Sequence, residues 1–312
     1  MPRRERVILP RELGVMHIYS KVAGGHLLLG PEEKEQLLKM IKRYSSAFFV
    51  TLHEFTVMSN HFHLVLSEGR EDALNASRDV LLNRYRQIYG EDADPPVGRQ
   101  LPNGRFIPDP DGGIERLRKR LGSVSSFVQE LKQRFTRWYN KKNHRKGYLW
   151  GARFGTTLIE KGDAALIVGG YLNLNPVRAR MVKLPDEYRW CGLGFHSRNP
   201  EEARDLMSPM PLQPGETPLD LLAYRLFVYR YGARPIPGKW HIHPDQVARV
   251  EAICRRIGIL DMADQRIRNF SEGFALGSPE FIARVQDPER KKGVKARPVR
   301  KGVELFCTRV LS

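Results

Sequence analysis

The sequence predicts an α+β fold that opens on an antiparallel hairpin and ends in a helical C-terminal region. Three patterns carry that reading: strand, helix, strand, strand within the first 70 residues, a clean helical period after Ser123, and two further helical segments beyond residue 217. Residues 13–23, LGVMHIYSKVA, alternate briefly between apolar and polar and form the first expected strand. A helix follows. Pro31 suits its first position, Glu32 and Glu33 suit the positive end of its dipole, and Leu37, Leu38, Ile41 and Tyr44 make one apolar stripe. Phe48–Val57 and Leu64–Leu66 read as two strands joined at Ser59-Asn60.

Residues 68–120 change character, with a polar centre rich in Pro, Gly and Asp, and are expected to be an insertion with little core of its own. From Ser123 onward, Val124, Phe127, Val128, Leu131, Phe135 and Trp138 recur at spacings of three and four and predict a helix. A strand is expected at Gly155–Glu160, then a short helix from Asp163 that Pro176 should end at about Asn175. Thr217-Pro218 should cap a helix through LDLLAYRLFVYRYG, and Asp245 should begin another. Residues 284–301 carry eight Lys and Arg and little apolar content, the composition of a flexible arm. The expected organisation is therefore a catalytic domain from 1–67 and 121–197, an insertion at 68–120, and a helical region at 198–312 with a basic tail, a candidate DNA-binding segment.

The chain has 312 residues, of which 41% are apolar, enough to bury a sizeable core. Lys and Arg number 52 against 35 Asp and Glu, a net charge of +17 that favours a polyanionic partner such as nucleic acid. No run of 18 apolar residues is present, and MPRRERVILP lacks the apolar centre of a signal peptide, so no membrane association and a cytoplasmic location are expected. Cys191, Cys254 and Cys307 are too widely separated to suggest a disulfide framework or a cysteine zinc site.

Three motifs carry chemistry. In VMSNHFHLVL, a strand places His61 and His63 on one face and Phe62 on the other, so that two imidazoles can converge on one divalent ion. An isolated His-x-His is more often just a polar face. In GGYLNLNPVRA, a helix stacks Tyr171 and Asn175 at i and i+4, offering a nucleophile and an amide oxygen able to complete a two-His, one-Asn site. Alone, this too reads as an ordinary helix edge with a C-cap. In RFTRWYNKKNHRKGYLWGARF, the basic residues Arg134, Arg137, Lys141, Lys142, Arg145, Lys146 and Arg153 are interleaved with Phe135, Trp138, Tyr139, Tyr148 and Trp150. Cations neutralise phosphates and aromatic faces stack on unpaired bases. Phe135 and Trp138 belong to the core stripe. A second His-x-His, His241-Ile242-His243, lies among prolines and is read as loop.

Met58-Ser59-Asn60-His61-Phe62-His63 and Tyr171-Leu172-Asn173-Leu174-Asn175-Pro176-Val177 resemble the signatures of the single-tyrosine HUH transposases, more narrowly the REP-associated tyrosine transposases. Arg134-Phe135-Thr136-Arg137-Trp138-Tyr139-Asn140, Gly147-Tyr148-Leu149-Trp150 and Tyr188-Arg189-Trp190 resemble further landmarks. The likeness covers roughly residues 10–66 and 122–196. It implies a ferredoxin-like or RRM-like antiparallel sheet with helices packed on one face. It also implies Mg2+ or Mn2+ held by His61, His63 and Asn175, and Tyr171 attacking single-stranded hairpin DNA to give a 5′-phosphotyrosine. Homodimers are implied, although compact members act as monomers.

The insertion is longer than in compact members. Gly169-Gly170 weakens the tyrosine helix and would let it move between cleavage and rejoining. Rival readings are a non-catalytic, domesticated hairpin-binding regulator, a replication-initiation or mobilisation nuclease with the same metal motif, and a two-His metallohydrolase using activated water.

Overall fold

A computed structural model describes residues 15–93, 98–100, 106–108, 110–216, 219–256, 275–285, 294–298 and 306–310. In chain order the elements are β1 (Val15–Lys21), α1 (Pro31–Ala47), β2 (Val50–Val57), β3 (His61–Glu68), α2 (Arg70–Asn75), α3 (Arg78–Tyr89), β4 (Gly98–Gln100) and β5 (Phe106–Pro108). They continue with α4 (Pro110–Leu121), α5 (Val124–Lys142), β6 (Gly155–Ile159), α6 (Asp163–Arg178), α7 (Gly192–Arg198), α8 (Pro200–Leu206), α9 (Leu221–Ala233) and α10 (Pro244–Arg256). The last elements are β7 (Ala275–Gly277), α11 (Pro279–Val285), β8 (Val294–Pro298) and β9 (Phe306–Val310).

Four strands in the order β2-β3-β1-β6 form the centre of the sheet, and every pairing among them is antiparallel. With α1 between β1 and β2, and α5 between β3 and β6, this is the ferredoxin-like split βαβ arrangement. The two crossover helices share one face. Leu37, Leu38 and Ile41 of α1, with Phe127, Val128, Leu131 and Phe135 of α5, close over Ile18, Phe62, Leu64 and Leu66 of the sheet, and each of these side chains is buried. Full burial of a side chain of this size contributes about 1.5–3 kcal/mol, so this layer is the principal core. Both helices begin as the sequence indicates. The Glu33 carboxylate accepts the Gly30 N–H at 3.0 Å ahead of Pro31, and the Ser123 hydroxyl accepts the Ser126 N–H at 3.3 Å.

The opposite face of the sheet is covered by α6. Val15, Val65 and Ile159 pack there against Ile167, Leu172 and Leu174, and α9 lies behind with Tyr224, Phe227 and Tyr231. The segment after residue 198 is thus continuous with the core through α9, and it adds strands as well as helices. β7 pairs in parallel with β6, and β9 and β8 extend the sheet to seven strands. Part of the basic tail, expected as an arm, forms β8; the remainder of 284–301 beyond Val285 lies outside the described residues. Thr217-Pro218 also lies outside them, and Asp220 caps α9 instead, its carboxylate accepting the Ala223 N–H at 2.7 Å. Leu81, Ile88, Ile114 and Leu117 of the 68–120 segment are buried, and they join the principal core and form no separate one; they come from α3 and α4, which flank the polar centre of the segment.

The tyrosine helix also departs from expectation. Pro176 does not end it, and α6 runs on to Arg178. Proline lacks the N–H that would bond the carbonyl four residues back, here Leu172. The Thr56 hydroxyl of β2 donates to that carbonyl at 2.6 Å and supplies the missing partner. Thr56 faces α6 because β2 carries a bulge between Leu52 and Glu54. The extra residue lets Leu52 and Phe55, three apart, both enter the principal core, and it turns Glu54 and Thr56 to the other face.

Candidate active site

The two histidines of the first motif lie on β3, where the strand period separates them from Phe62. Phe62 is fully buried in the principal core, whereas His61 and His63 point toward α6. Their ring centroids are 4.9 Å apart. Tyr171 stands over them from α6, its ring edge-on to His63 with centroids 5.8 Å apart. Asn175 follows one turn later on the same helix, so the four residues joined by the sequence reading meet at one place. Burial raises the Tyr171 pKa above the ordinary phenol value, while interaction with the Asn175 amide draws it back down. The Asn175 Nδ2 is buried without a hydrogen-bond partner of normal geometry.

A third imidazole joins them. His17 of β1 is fully buried and stacks on His63, with centroids 5.0 Å apart and Nε2 within 2.8 Å of His63 Nδ1. It lies 6.5 Å from the Tyr171 ring, and Tyr19 of the same strand face lies 6.2 Å from His63. The sequence signal for both was present in the alternation of β1, which sets His17 and Tyr19 on one side and Ile18 on the other. Burial lowers the pKa of His61 to about 4 and that of His63 well below the ordinary imidazole value, with neighbouring positive charge from Lys21 acting in the same direction. Both rings are therefore neutral at neutral pH.

Their hydrogen bonds bear on metal binding. His61 Nδ1 lies 2.6 Å from the Asn60 side-chain oxygen, which has no proton to give, so Nδ1 carries the proton and Nε2 keeps its lone pair. A His63 tautomer that donates from Nδ1 to His17 Nε2 leaves its own Nε2 free in the same way. Two neutral imidazoles with Nδ1 engaged each present an Nε2 lone pair, a donor chemistry that fits a small divalent ion. Among the described residues, no group of three or more His, Cys, Asp and Glu side chains is gathered to hold a metal.

The helix bearing Tyr171 is anchored by residues the motif reading did not reach. Glu54 of β2 is buried, and its Oε2 accepts from Asn173 Nδ2 at 2.5 Å and from the Tyr224 hydroxyl at 3.0 Å. Its Oε1 accepts the Phe55 N–H at 2.9 Å, and the Gly192 N–H also donates to the carboxylate. Burial pushes the Glu54 pKa up to about 7 against these donors. A lone carboxylate in the apolar run of β2 was its signal in the sequence. Gly169 and Gly170 have a packing role here. A Cβ on Gly169 would lie 2.5 Å from the Tyr224 hydroxyl, and one on Gly170 would lie 3.2 Å from the Phe227 ring. The pair lets α9 approach closely; it does not mark a break in α6, which is helical throughout.

The basic motif divides in two. Arg134 pairs with Glu130 at 2.5 Å and lies over the Tyr44 and Tyr89 rings, and Lys142 pairs with Glu32 and Glu33. Arg145 lies over Tyr139 and donates to the Tyr148 carbonyl. Arg137, Lys141, Lys146 and Arg153 are exposed. Of the aromatics, Phe135, Tyr139 and Trp150 are buried, whereas Tyr148 is 75% exposed. The loop bearing Tyr148 runs along the end of β1. Ala23 N–H donates to Leu149 O and Gly151 N–H to Lys21 O, and Lys21 is the cross-strand partner of His61. Tyr148, Lys146 and Arg153 therefore sit at the same end of the sheet as His61. His241 and His243 are exposed and lie in a loop, as the sequence indicates.

No protein-family model matches the chain, and no curated protein matches it. Among solved structures it is similar to a REP-associated tyrosine transposase bound to a REP hairpin, at 14% identity and a TM-score of 0.40, over 70% of this chain and 96% of that one. No helix among the described residues is long and apolar enough to cross a membrane.

Proposed function

We propose that this chain is a tyrosine-type transesterase acting on single-stranded DNA beside a hairpin, with Tyr171 as the nucleophile. The observation that carries the reading is the placement of the Tyr171 ring against His63, within one cluster that also holds His61, His17 and Asn175. A structural role alone asks for none of these groups to converge.

In the proposed reaction the Tyr171 oxygen bonds to the scissile phosphorus as the bond to the 3′ oxygen breaks. The phenol loses its proton and the departing 3′ oxygen gains one. The product is a 5′-phosphotyrosine and a free 3′-hydroxyl. Because the raised phenol pKa keeps Tyr171 protonated at neutral pH, its proton must leave as the new bond forms. His61, His63 and Asn175 would hold Mg2+ or Mn2+, which supplies charge stabilisation to a phosphoryl oxygen when bound. Exposed Arg137, Lys141, Lys146 and Arg153 would neutralise phosphates, and Tyr148 would offer a stacking face to an unpaired base beside the site.

The test is covalent trapping. Purified protein is incubated with end-labelled hairpin DNA carrying a single-stranded flank, with Mn2+, Mg2+ or EDTA, beside Tyr171→Phe. A metal-dependent adduct mapped to Tyr171 and absent from the variant is expected. Cleavage that persists without an adduct in Tyr171→Phe would favour the two-His hydrolase, and binding without cleavage would favour the domesticated regulator.

A further inference from the structure

We propose that Glu54 is the positioning residue of the nucleophile: its carboxylate, with the Thr56 hydroxyl, fixes the turn of α6 that carries Tyr171 over His63. This rests on the reading of Tyr171 as the nucleophile. Glu54 and Thr56 are two apart on β2 and face α6 together. They grip it on either side of one residue pair, Thr56 through the Leu172 carbonyl and Glu54 through the Asn173 amide. Those are the two residues that follow Tyr171.

The grip extends beyond a single bond. The Asn173 amide oxygen accepts the Leu193 N–H at 2.8 Å, so Asn173 is held from both ends. Its Nδ2 also lies within 3.1 Å of Gly169 O and 3.2 Å of the Tyr224 hydroxyl. One carboxylate thereby joins β2, α6, α9 and the start of α7. A Cβ on Gly192 would overlap the Glu54 carboxylate, so the chain at that turn closes onto Glu54 with no room to spare. No cation contacts this carboxylate among the described residues; every partner named is a neutral donor. Such a group is costly to bury for packing alone, and a hydrophobic residue would fill the space. What the carboxylate provides is direction: four converging donors define a position along α6 that apolar packing leaves free to slide. The register matters because Thr56 is the cross-strand partner of His63, so the sheet residue next to the grip is the one that faces the tyrosine ring.

The experiment compares Glu54→Gln and Thr56→Val with the parent protein and Tyr171→Phe, using saturating hairpin DNA and Mn2+. Three quantities are read: the saturating rate of adduct formation, the hairpin dissociation constant, and the 19F resonance of 3-fluorotyrosine placed at position 171. For Glu54→Gln the adduct rate should fall about tenfold or more, while hairpin affinity stays within about twofold and the 19F resonance shifts or broadens. Thr56→Val, which keeps shape and removes one donor, should move the rate and the resonance in the same direction by less. An unshifted resonance with a parental adduct rate in Glu54→Gln would overturn the proposal. So would a loss confined to hairpin affinity. If Glu54→Gln does not fold, Thr56→Val decides by the same criteria. Should Tyr171→Phe itself still form the adduct, the nucleophile assignment fails, and the 19F resonance alone still decides whether Glu54 sets the position of residue 171.

Discussion

His17 and His63 lie ring against ring, with Nε2 of the first 2.8 Å from Nδ1 of the second. Their backbones are on adjacent strands, so the contact is built into the sheet and does not depend on a loop. An imidazole that holds the far nitrogen of a metal-binding histidine fixes its tautomer and ring angle. His17→Phe is therefore expected to weaken Mn2+ binding by about 10–100-fold, measured by electron paramagnetic resonance titration of the free protein. An unchanged affinity would remove His17 from the site.

Gly169 and Gly170 should respond differently to alanine. Each substitution gains up to about 1 kcal/mol of helix propensity. At Gly169 the new methyl meets the Tyr224 hydroxyl at 2.5 Å and Met210 at 3.1 Å, so a net loss of about 1–3 kcal/mol is expected. At Gly170 the nearest atom is 3.2 Å away on the Phe227 ring, and the two effects should nearly cancel. Denaturant midpoints of the two variants measure the contrast, and equal losses would contradict it.

The pH dependence of stability follows from Glu54. Its pKa is raised from 4.5 to about 7 by burial, so between those values the folded chain holds a proton that the unfolded chain has released. Its favourable contribution is fully present below about pH 4.5 and is lost as pH rises through 7, an effect of at most about 3 kcal/mol. Stability of the parent relative to Glu54→Gln, which does not titrate, should fall from pH 5 to pH 8. A flat difference across that range would show that the carboxylate is ionised throughout.

The two halves of the basic motif should separate on mutation. Arg134→Ala removes one of two arginine partners of Glu130, which is 4% exposed and keeps Arg120 and the Tyr89 hydroxyl, and should destabilise the fold by about 1 kcal/mol. Lys146→Ala and Arg153→Ala should leave stability within about 0.5 kcal/mol. Each is expected to lower the slope of log affinity against log salt by about 0.7 for single-stranded DNA. Thermal melts and binding titrations at several salt concentrations read both effects. An unchanged salt slope in both Lys146→Ala and Arg153→Ala would place the DNA elsewhere.

Local pattern was enough to find β1, α1, β2, β3, α5 and β6, because each has its own period or cap. It was also enough to group His61, His63, Tyr171 and Asn175, since each pair lies within one element. What it missed depends on distant partners. Pro176 reads as a helix end until the Thr56 hydroxyl, 116 residues away in sequence, is seen to satisfy Leu172. Gly169-Gly170 reads as weakness until α9 is placed against it. Glu54 stands out locally only as a lone carboxylate in an apolar run, because nothing near it in sequence announces Asn173 and Tyr224 as its donors. The apolar residues that the 68–120 segment lends to the principal core were hidden for a different reason: they lie toward its two ends, and the composition of the middle outweighed them.

The bulge at the start of β2 makes the site a matter of parity. Because side chains alternate strictly along a strand, whether Glu54 and Thr56 meet α6 is decided by whether an odd or an even number of residues precedes them from Leu52. Deleting His53 would preserve every residue so far assigned to the chemistry, yet it would leave the strand to choose between two incompatible alignments. Either Leu52 keeps its place and the carboxylate and hydroxyl enter the apolar layer, or they keep theirs and Leu52 is turned out of it. One supernumerary residue, itself outside the reaction, thus keeps the two layers of the molecule in phase.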